Sequence, residues 1–162
     1  MISLKHFRKS YGEFNAVRGL SLEVKRGEIF GFIGPNGAGK TTTIRFLSTL
    51  LDPTGGSASI NGFDVVRQVN DVRRSIGFMP DSFGVYYGMR VWEFLDFFAV
   101  AYGVERKVRQ RLINDVLGLV DLQNKKNDLV NALSRGMRQR LCLAKTLVHD
   151  PPVLIVDEPA SG

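Results

Sequence analysis

Cysteine and long apolar runs are nearly missing from this sequence. Cys142 is the one cysteine in 162 residues, which excludes an intramolecular disulfide and fits a reducing compartment. No stretch approaches the roughly 20 apolar residues of a membrane-spanning helix. Residues 1–8 lack the apolar core of a signal peptide. We therefore expect any role at a membrane to come through a partner protein.

A large excess of charge of one sign is also missing. The 22 lysines and arginines outnumber the 16 acidic residues, for a net charge of +6. A net positive charge of this size is compatible with binding to a nucleic acid, an anionic membrane surface or a polyanionic ligand. The basic residues are scattered rather than massed, which favours a solvated basic surface over a nucleic-acid or membrane interface.

The most informative stretch is residues 34–42, GPNGAGKTT, which reads G-x-x-x-x-G-K-T. Its glycines let successive N–H groups turn inward as an anion nest, and a following helix adds positive partial charge. Before it, Ile29–Ile33 is an apolar run that predicts a buried strand, and the spacing in residues 43–51 predicts a helix. Lys40 is expected to reach the β- and γ-phosphates of a nucleotide, and the Thr41 hydroxyl to bind Mg²⁺.

The remaining patterns predict an α/β chain. Apolar and polar residues alternate in residues 2–6 and again in residues 20–24, which predicts a small N-terminal antiparallel sheet. Residues 84–135 predict a helical subdomain inserted between strand-forming segments, within a single domain of residues 1–162. The other predicted elements are strands at 57–60, 76–79 and 153–156, a tight turn at 61–63, and helices at 65–73, 91–102, 108–120 and after Ser134.

Two acids follow the last of these strands. Val153–Val156 is a continuous apolar run, typical of a strand buried on both faces. Asp157 and Glu158 come directly after it. Ligands bind at the carboxyl ends of strands in open parallel sheets. If this strand is parallel to Ile29–Ile33, Asp157 would hold Mg²⁺ near the phosphates and Glu158 would orient or deprotonate the attacking water.

With the stretch Leu133–Met137, LSRGM, the chain resembles the ATP-binding-cassette (ABC) family of ATPases. That family has a signature L-S-G-G-Q shortly before its apolar strand and acid pair. The form with Arg135 and Met137 is similar to the L-S-[KR]-G-M variant of bacterial exporter-type (ABC-2) cassettes. The implied fold is a P-loop NTPase core with an N-terminal antiparallel β-sheet and an inserted α-helical subdomain.

The resemblance also implies roles for individual residues. Tyr11 corresponds to an aromatic residue that stacks on adenine, although an ordinary turn tyrosine is the alternative. Asp81 stands where the family usually has a glutamine, and its carboxylate could approach Mg²⁺ directly or through water. Glu158 corresponds to the catalytic glutamate. The implied metal ligands are Thr41, Asp157 and Asp81, and the implied nucleotide-binding residues are Tyr11, Gly34, Pro35, Asn36, Gly37, Ala38, Gly39, Lys40, Thr41, Thr42, Ser134 and Gly136.

The implied function is ATP binding and hydrolysis that powers transmembrane transport, with export favoured by the signature variant. The implied partners are a second cassette, bound head to tail so that Ser134 and Gly136 face its nucleotide, and transmembrane permease subunits. The subunit would then lie in the cytoplasm, against the inner face of the membrane, with no direct nucleic-acid contact.

Two alternatives stay open. One is a nucleic-acid- or ribosome-associated cassette ATPase, which the basic charge allows. The other is an inactive nucleotide-binding fragment. Compared with the family pattern the chain reads as truncated, because it stops before a complete D-loop and the histidine that contacts the γ-phosphate. We therefore expect weak or absent ATPase activity from this chain alone.

Overall fold

The computed structural model describes residues 1–81, 84 and 88–157. The chain divides into two compact units, Met1–Ile76 and a second that begins at Gly77. No helix among the described residues has the length and hydropathy needed to cross a membrane. The elements in chain order are β1 (Ile2–Tyr11), β2 (Phe14–Val24), α1 (Lys40–Leu47), β3 (Gly55–Ile60), β4 (Phe63–Asp64), α2 (Val69–Ser75), β5 (Ile76–Met79), α3 (Val91–Ala101), α4 (Arg106–Leu119), α5 (Arg135–Leu147) and β6 (Val153–Val156).

The first unit is built on an antiparallel sheet with strand order β2-β1-β3-β4. The register of β1 shifts between Leu4 and Phe7. Because of this irregularity both side chains reach the same buried face, with 1% and 0% exposure. Phe7 stacks on Phe46 of α1 with ring centroids 4.4 Å apart. The predicted antiparallel sheet is confirmed, and this aromatic pair anchors α1 to it.

The predicted tight turn between β3 and β4 is also confirmed. Asn61 and Gly62 have φ values of +53° and +89°. Two successive left-handed residues are the mark of a type I′ hairpin turn. Ile60 and Phe63 pair across it, so the turn sets the register of the two strands.

The segment Ile29–Ile33 is not a strand, which corrects the prediction from its apolar composition. Residues 28–35 have no regular secondary structure. Ile29, Phe30 and Ile33 are 103%, 51% and 94% exposed. A strand needs a neighbouring backbone that supplies N–H and C=O partners. Neither sheet formed by the described residues includes this segment, so its apolar side chains stay at the surface.

Helix α1 ends earlier than predicted. It runs from Lys40 to Leu47 and does not reach residue 51. Thr49 has a left-handed φ of +61°, and the Leu50 N–H donates to the Arg45 carbonyl at 2.8 Å. This six-to-one bond after a left-handed residue is how a Schellman motif ends a helix.

Helix α2 begins later than predicted, at Val69 instead of residue 65. The Asp64 carboxylate accepts the backbone N–H groups of Val66 and Arg67 at 2.9 and 2.8 Å. These bonds hold the intervening residues in a turn that competes with the helix. They also lower the pKa of Asp64, with the Arg67 N–H as the larger cause and the Val66 N–H as the second.

In the second unit, strands β5 and β6 pair as a two-stranded sheet. The Asp157 N–H donates to the Met79 carbonyl at 2.9 Å. The residue after β6 is therefore bonded to the last residue of β5, and the carboxyl ends of the two strands lie side by side. Both strands were predicted from their apolar runs and are confirmed.

Strand β6 is buried on one face only. Val153 and Ile155 are each 7% exposed, whereas Leu154 between them is 49% exposed. The continuous apolar run predicts burial on both faces, and this prediction is wrong for the part of the chain that the structure describes. Successive strand side chains point to opposite faces, and the face that carries Leu154 has no full cover there.

Helices α3, α4 and α5 share one apolar core. The predicted helices are confirmed, although α4 begins at Arg106. Because α5 contributes side chains, the helix that begins within the LSRGM stretch is packed against the other two. The bounds 84–135 for a helical subdomain stay a prediction. The helical side chains in this core are Val91, Phe94, Leu95, Ile113, Val116, Leu117, Leu141 and Ala144.

Candidate functional site

The last glycine of the phosphate-loop sequence, Gly39, is required by the fold. Gly39 directly precedes α1 with a left-handed φ of +85°. A Cβ atom at this position would lie 2.7 Å from Val17 Cγ2 and 2.8 Å from the Ala16 carbonyl oxygen. Strand β2 therefore backs the loop so closely that only glycine fits.

The Lys40 side chain folds back over the loop that precedes it. Its Nζ donates to the carbonyl oxygens of Gly34 at 2.6 Å and Pro35 at 3.0 Å. The Ala38 N–H donates to the same Pro35 carbonyl at 3.2 Å, and Gly37 has a φ of +81°. These contacts hold a positive charge at a glycine-rich turn, an arrangement suited to an anionic ligand.

The start of α1 favours an anion as well. Among the residues that the structure describes, no side chain caps this helix, and its first turn contains no acidic residue. The first intrahelical bond runs from the Thr43 N–H to the Gly39 carbonyl at 2.9 Å. The N–H groups of Lys40, Thr41 and Thr42 precede that bond, so they are donors that a helix leaves for an external acceptor.

Tyr11 lies at the end of β1 and is 50% exposed. It pairs with Phe14 where the β1–β2 hairpin turns. The Lys9 ammonium lies 5.1 Å from the centroid of its ring and donates to the Asp52 carbonyl at 2.8 Å. The ring thus combines an accessible surface, onto which a base could stack, with a cation held close to it.

The β1–β2 hairpin brings the aromatic residue and the phosphate loop into one neighbourhood. Val17 and Ala16 of β2 contact the end of the loop at Gly39. Val17 pairs with Lys9 on β1, two residues before Tyr11. The first unit therefore assembles Tyr11, the loop and Lys40, all of which the sequence singled out.

In the second unit, Ser134 is the N-cap of α5, as its sequence context predicts. Its Oγ accepts the Met137 N–H at 3.3 Å. None of the described residues comes within 4 Å of the position that a Cβ of Gly136 would take. The first turn of α5 contains no acidic residue. The signature stretch therefore begins a helix whose first turn is accessible.

The acidic candidates lie at the carboxyl ends of β5 and β6. Asp157 follows β6, is 6% exposed and is bonded through its N–H to Met79 at the end of β5. Asp81 comes two residues after Met79 and is exposed. The structure thus brings two of the predicted metal ligands to one edge of this sheet. Glu158, the predicted catalytic base, lies outside the described residues.

Helix α5 separates the signature stretch from the acids. Near its C-terminus, the Thr146 hydroxyl is 3.4 Å from the Phe78 carbonyl of β5, next to the residue that bonds Asp157. Ser134 lies twelve residues earlier, which is about 18 Å along the helix axis at 1.5 Å per residue. The Ser134 hydroxyl and the Asp157 carboxylate therefore belong to different ends of α5.

The candidate metal ligands are all hard oxygen donors: the Thr41 hydroxyl and the Asp81 and Asp157 carboxylates. In nucleotide sites Mg²⁺ takes one or two carboxylates together with phosphates and waters. The described residues include no group of three or more His, Cys, Asp and Glu that could hold an ion by themselves. This donor set fits Mg²⁺ that is bound together with a nucleotide.

Lys9 is a residue of the candidate site that the sequence analysis did not single out. The signal that could have found it is the alternation of β1, which places residues 9 and 11 on the same face of a strand. The second contact of Lys9, to the Asp52 carbonyl, joins positions 43 residues apart. No local pattern predicts such a bond.

Comparisons with known proteins identify the family of this chain. The family model described as "ABC transporter" matches residues 17–161. The chain is 40% identical over 162 residues to the bacitracin transport ATP-binding protein BcrA of Bacillus licheniformis, covering 100% of this chain and 52% of the relative. It is 39% identical over 162 residues to the Nod factor export ATP-binding protein I of Cupriavidus pinatubonensis, covering 100% of this chain and 50% of the relative. The chain thus spans about half the length of these curated relatives.

A solved structure agrees with this similarity. A dimeric ATP-binding cassette in a post-hydrolysis state, bound to ADP and Pi, superposes with a TM-score of 0.87 at 26% identity, covering 99% of this chain and 75% of that chain. The predicted α/β fold class, a P-loop NTPase core with an N-terminal antiparallel sheet, is confirmed. Because the family model covers most of the sequence, the chain belongs to the ABC transporter family.

Proposed function

We propose that this chain is the nucleotide-binding part of a transporter that binds ATP with Mg²⁺ and hydrolyses it to power export. The observation that carries the proposal is the phosphate loop. A glycine-lined turn, an uncapped helix start and the Lys40 ammonium all occur within residues 34–43. Family membership supports it, since the solved cassette relative was bound to ADP and Pi.

Each candidate residue has a role in this proposal. The loop N–H groups and Lys40 bind the phosphates, and Tyr11 stacks on the base. Bound Mg²⁺ supplies charge that neutralises the phosphate oxygens. Thr41, Asp157 and Asp81 are the residues that would hold it. Glu158 orients or deprotonates the attacking water, a contribution of about 10²–10⁴-fold in rate.

The proposal includes a second cassette. Ser134 lies at the start of α5, whereas Asp157 lies near its other end. This separation supports assigning Ser134 and Gly136 to a nucleotide other than the one held by their own acids. A head-to-tail pair would supply that nucleotide from the phosphate loop of a partner. The solved relative is described as dimeric, which supports a pair of cassettes in general; the head-to-tail orientation is part of the proposal.

A membrane partner completes the proposal. Relatives of this chain are named for bacitracin transport and Nod factor export. We infer that transmembrane permease subunits bind the cassette at the cytoplasmic face of the membrane. The α3–α4 region and the loop at Asp81 would pass the movement of the nucleotide site to them. The permease, rather than this chain, would select the substrate.

Dimerisation in the presence of ATP tests this function. With Glu158→Gln, hydrolysis is blocked while the acid's shape is kept. We expect this variant to be monomeric without nucleotide and dimeric with ATP and Mg²⁺, as measured by analytical ultracentrifugation. Adding Lys40→Ala to the same background should abolish the dimer. A Glu158→Gln variant that stays monomeric at saturating ATP would contradict the proposal.

A further inference from the structure

The Lys9 ammonium has two partners that tie separate parts of the first unit together. It lies 5.1 Å from the Tyr11 ring centroid. It also donates to the backbone carbonyl of Asp52 at 2.8 Å, shortly after the end of α1. Lys9 is half-buried, unlike the exposed Lys5 on the same strand. The side chain is thus held between the aromatic residue and the segment that follows the phosphate-loop helix.

We propose that Lys9 is a positioning residue for the base of the bound nucleotide. By lying against the Tyr11 ring, the ammonium fixes the orientation of the ring and directs the base to the ring surface that the ammonium does not cover. The inference rests on the proposed function, because it assigns Lys9 to the same nucleotide site. It goes beyond that function by adding a residue that acts through Tyr11.

The physical reason is preorganisation. A tyrosine that is 50% exposed loses side-chain freedom when a base stacks on it, and this loss weakens binding. A cation over an aromatic ring is attracted by the ring's quadrupole. Because the same ammonium is bonded to the Asp52 carbonyl, it holds the ring in place before the nucleotide arrives.

The two contacts of Lys9 also predict which ligands it does not help to bind. Its charge is directed at the ring and at a carbonyl oxygen. Lys40, in contrast, is placed on the phosphate loop itself. Loss of Lys9 should therefore weaken binding of a ligand that carries a base, and leave binding of phosphates alone unchanged.

A comparison of two ligands tests this. Isothermal titration calorimetry would give the Kd of ATP and of inorganic tripolyphosphate, both with Mg²⁺, for wild type, Lys9→Met and the matched control Lys5→Met. We expect Lys9→Met to weaken ATP binding about two- to fivefold, with the Kd of tripolyphosphate unchanged. Lys5→Met removes the same charge from the same strand and should change neither value. Equal weakening of both ligands by Lys9→Met would overturn the inference.

A double-mutant cycle shows whether Lys9 acts through Tyr11. In a Tyr11→Leu background, Lys9→Met should cause no further loss of ATP affinity. Lys9→Arg keeps a cation and a donor, and should restore most of the affinity. A full Lys9→Met effect without Tyr11, or no rescue by arginine in a folded protein, would count against the inference.

The controls separate this inference from the proposed function. A wild-type protein that binds neither ATP nor tripolyphosphate contradicts the proposed function, and the role of Lys9 falls with it. A wild-type protein that binds both, with no change in ATP affinity on Lys9→Met, contradicts the role of Lys9 alone.

Discussion

The two units carry their candidate residues in different ways. In the first unit, consecutive residues build the phosphate loop, and its candidate anion donors are backbone N–H groups and one lysine. In the second unit, single side chains lie at the ends of separate elements, with Ser134 at the start of α5 and Asp157 after β6. The first unit therefore collects its candidate anion donors in one loop, whereas the candidate residues of the second unit lie apart from one another.

The largest expected effect comes from a substitution that disrupts the phosphate loop in the first unit. Gly39→Ala should lower the free energy of unfolding by about 3 kcal/mol, since the methyl group adds a clash with β2 to the strain of a left-handed residue. Gly37→Ala is the matched control. It has a similar φ of +81°, but no described residue lies within 4 Å of the added Cβ, so only about 1–2 kcal/mol is expected. Urea unfolding of both variants checks the difference, and equal losses would show that β2 does not press on the loop.

A second pair of variants separates the roles of the units. Lys40→Ala should weaken ATP binding by the monomer about 10- to 100-fold, the loss expected for a charge-assisted contact to phosphate. Ser134→Ala should leave ATP binding by the monomer unchanged and weaken only the ATP-dependent dimer. Calorimetry on dilute monomer measures the first effect, and ultracentrifugation the second. Equal loss of monomer binding in both variants would put both residues on one nucleotide.

The smallest effect concerns Asp64, which lies in the first unit away from the loop sequence. The Arg67 and Val66 N–H groups lower its folded-state pKa, so its stabilising contribution is present above the unfolded pKa and is lost as pH falls through the folded pKa. Asp64→Asn should therefore lower the free energy of unfolding at neutral pH by less than about 1 kcal/mol, because solvent screens the carboxylate. The difference from wild type should vanish in acid. A difference that is independent of pH would show that the charge of Asp64 is not involved.

The sequence predicted best what is local to it. The phosphate loop, the Asn61-Gly62 turn and the Ser134 N-cap each depend on a few adjacent residues, and the structure shows the turn and the cap as expected. Strand pairing and side-chain burial were harder to predict from the sequence. The apolar composition of Ile29–Ile33 cannot supply a neighbouring strand, and the exposed Leu154 shows that an apolar run does not guarantee cover on both faces.

The candidate site shows the same limit. Motif spacing predicts Lys40, Asp157 and Glu158 as site residues, because the chemistry needs those residue types in that order, and their roles stay a prediction. It could not identify Lys9, whose contact with the Asp52 carbonyl depends on how α1 lies on the sheet. Nor could it show how far α5 carries Ser134 from the acids, since that distance comes from the length and packing of the helix.

Mixing two defective variants tests most directly whether the site is shared between chains. In the Glu158→Gln background, a Lys40→Ala chain and a Ser134→Ala chain each lack one half of every site. When the two are mixed with ATP and Mg²⁺, one intact site can form between the Lys40 of one chain and the Ser134 of the other. We predict heterodimers at an ATP concentration at which neither variant dimerises alone. Failure of the mixture to dimerise, under conditions in which the Glu158→Gln parent does, would contradict a site built from two chains.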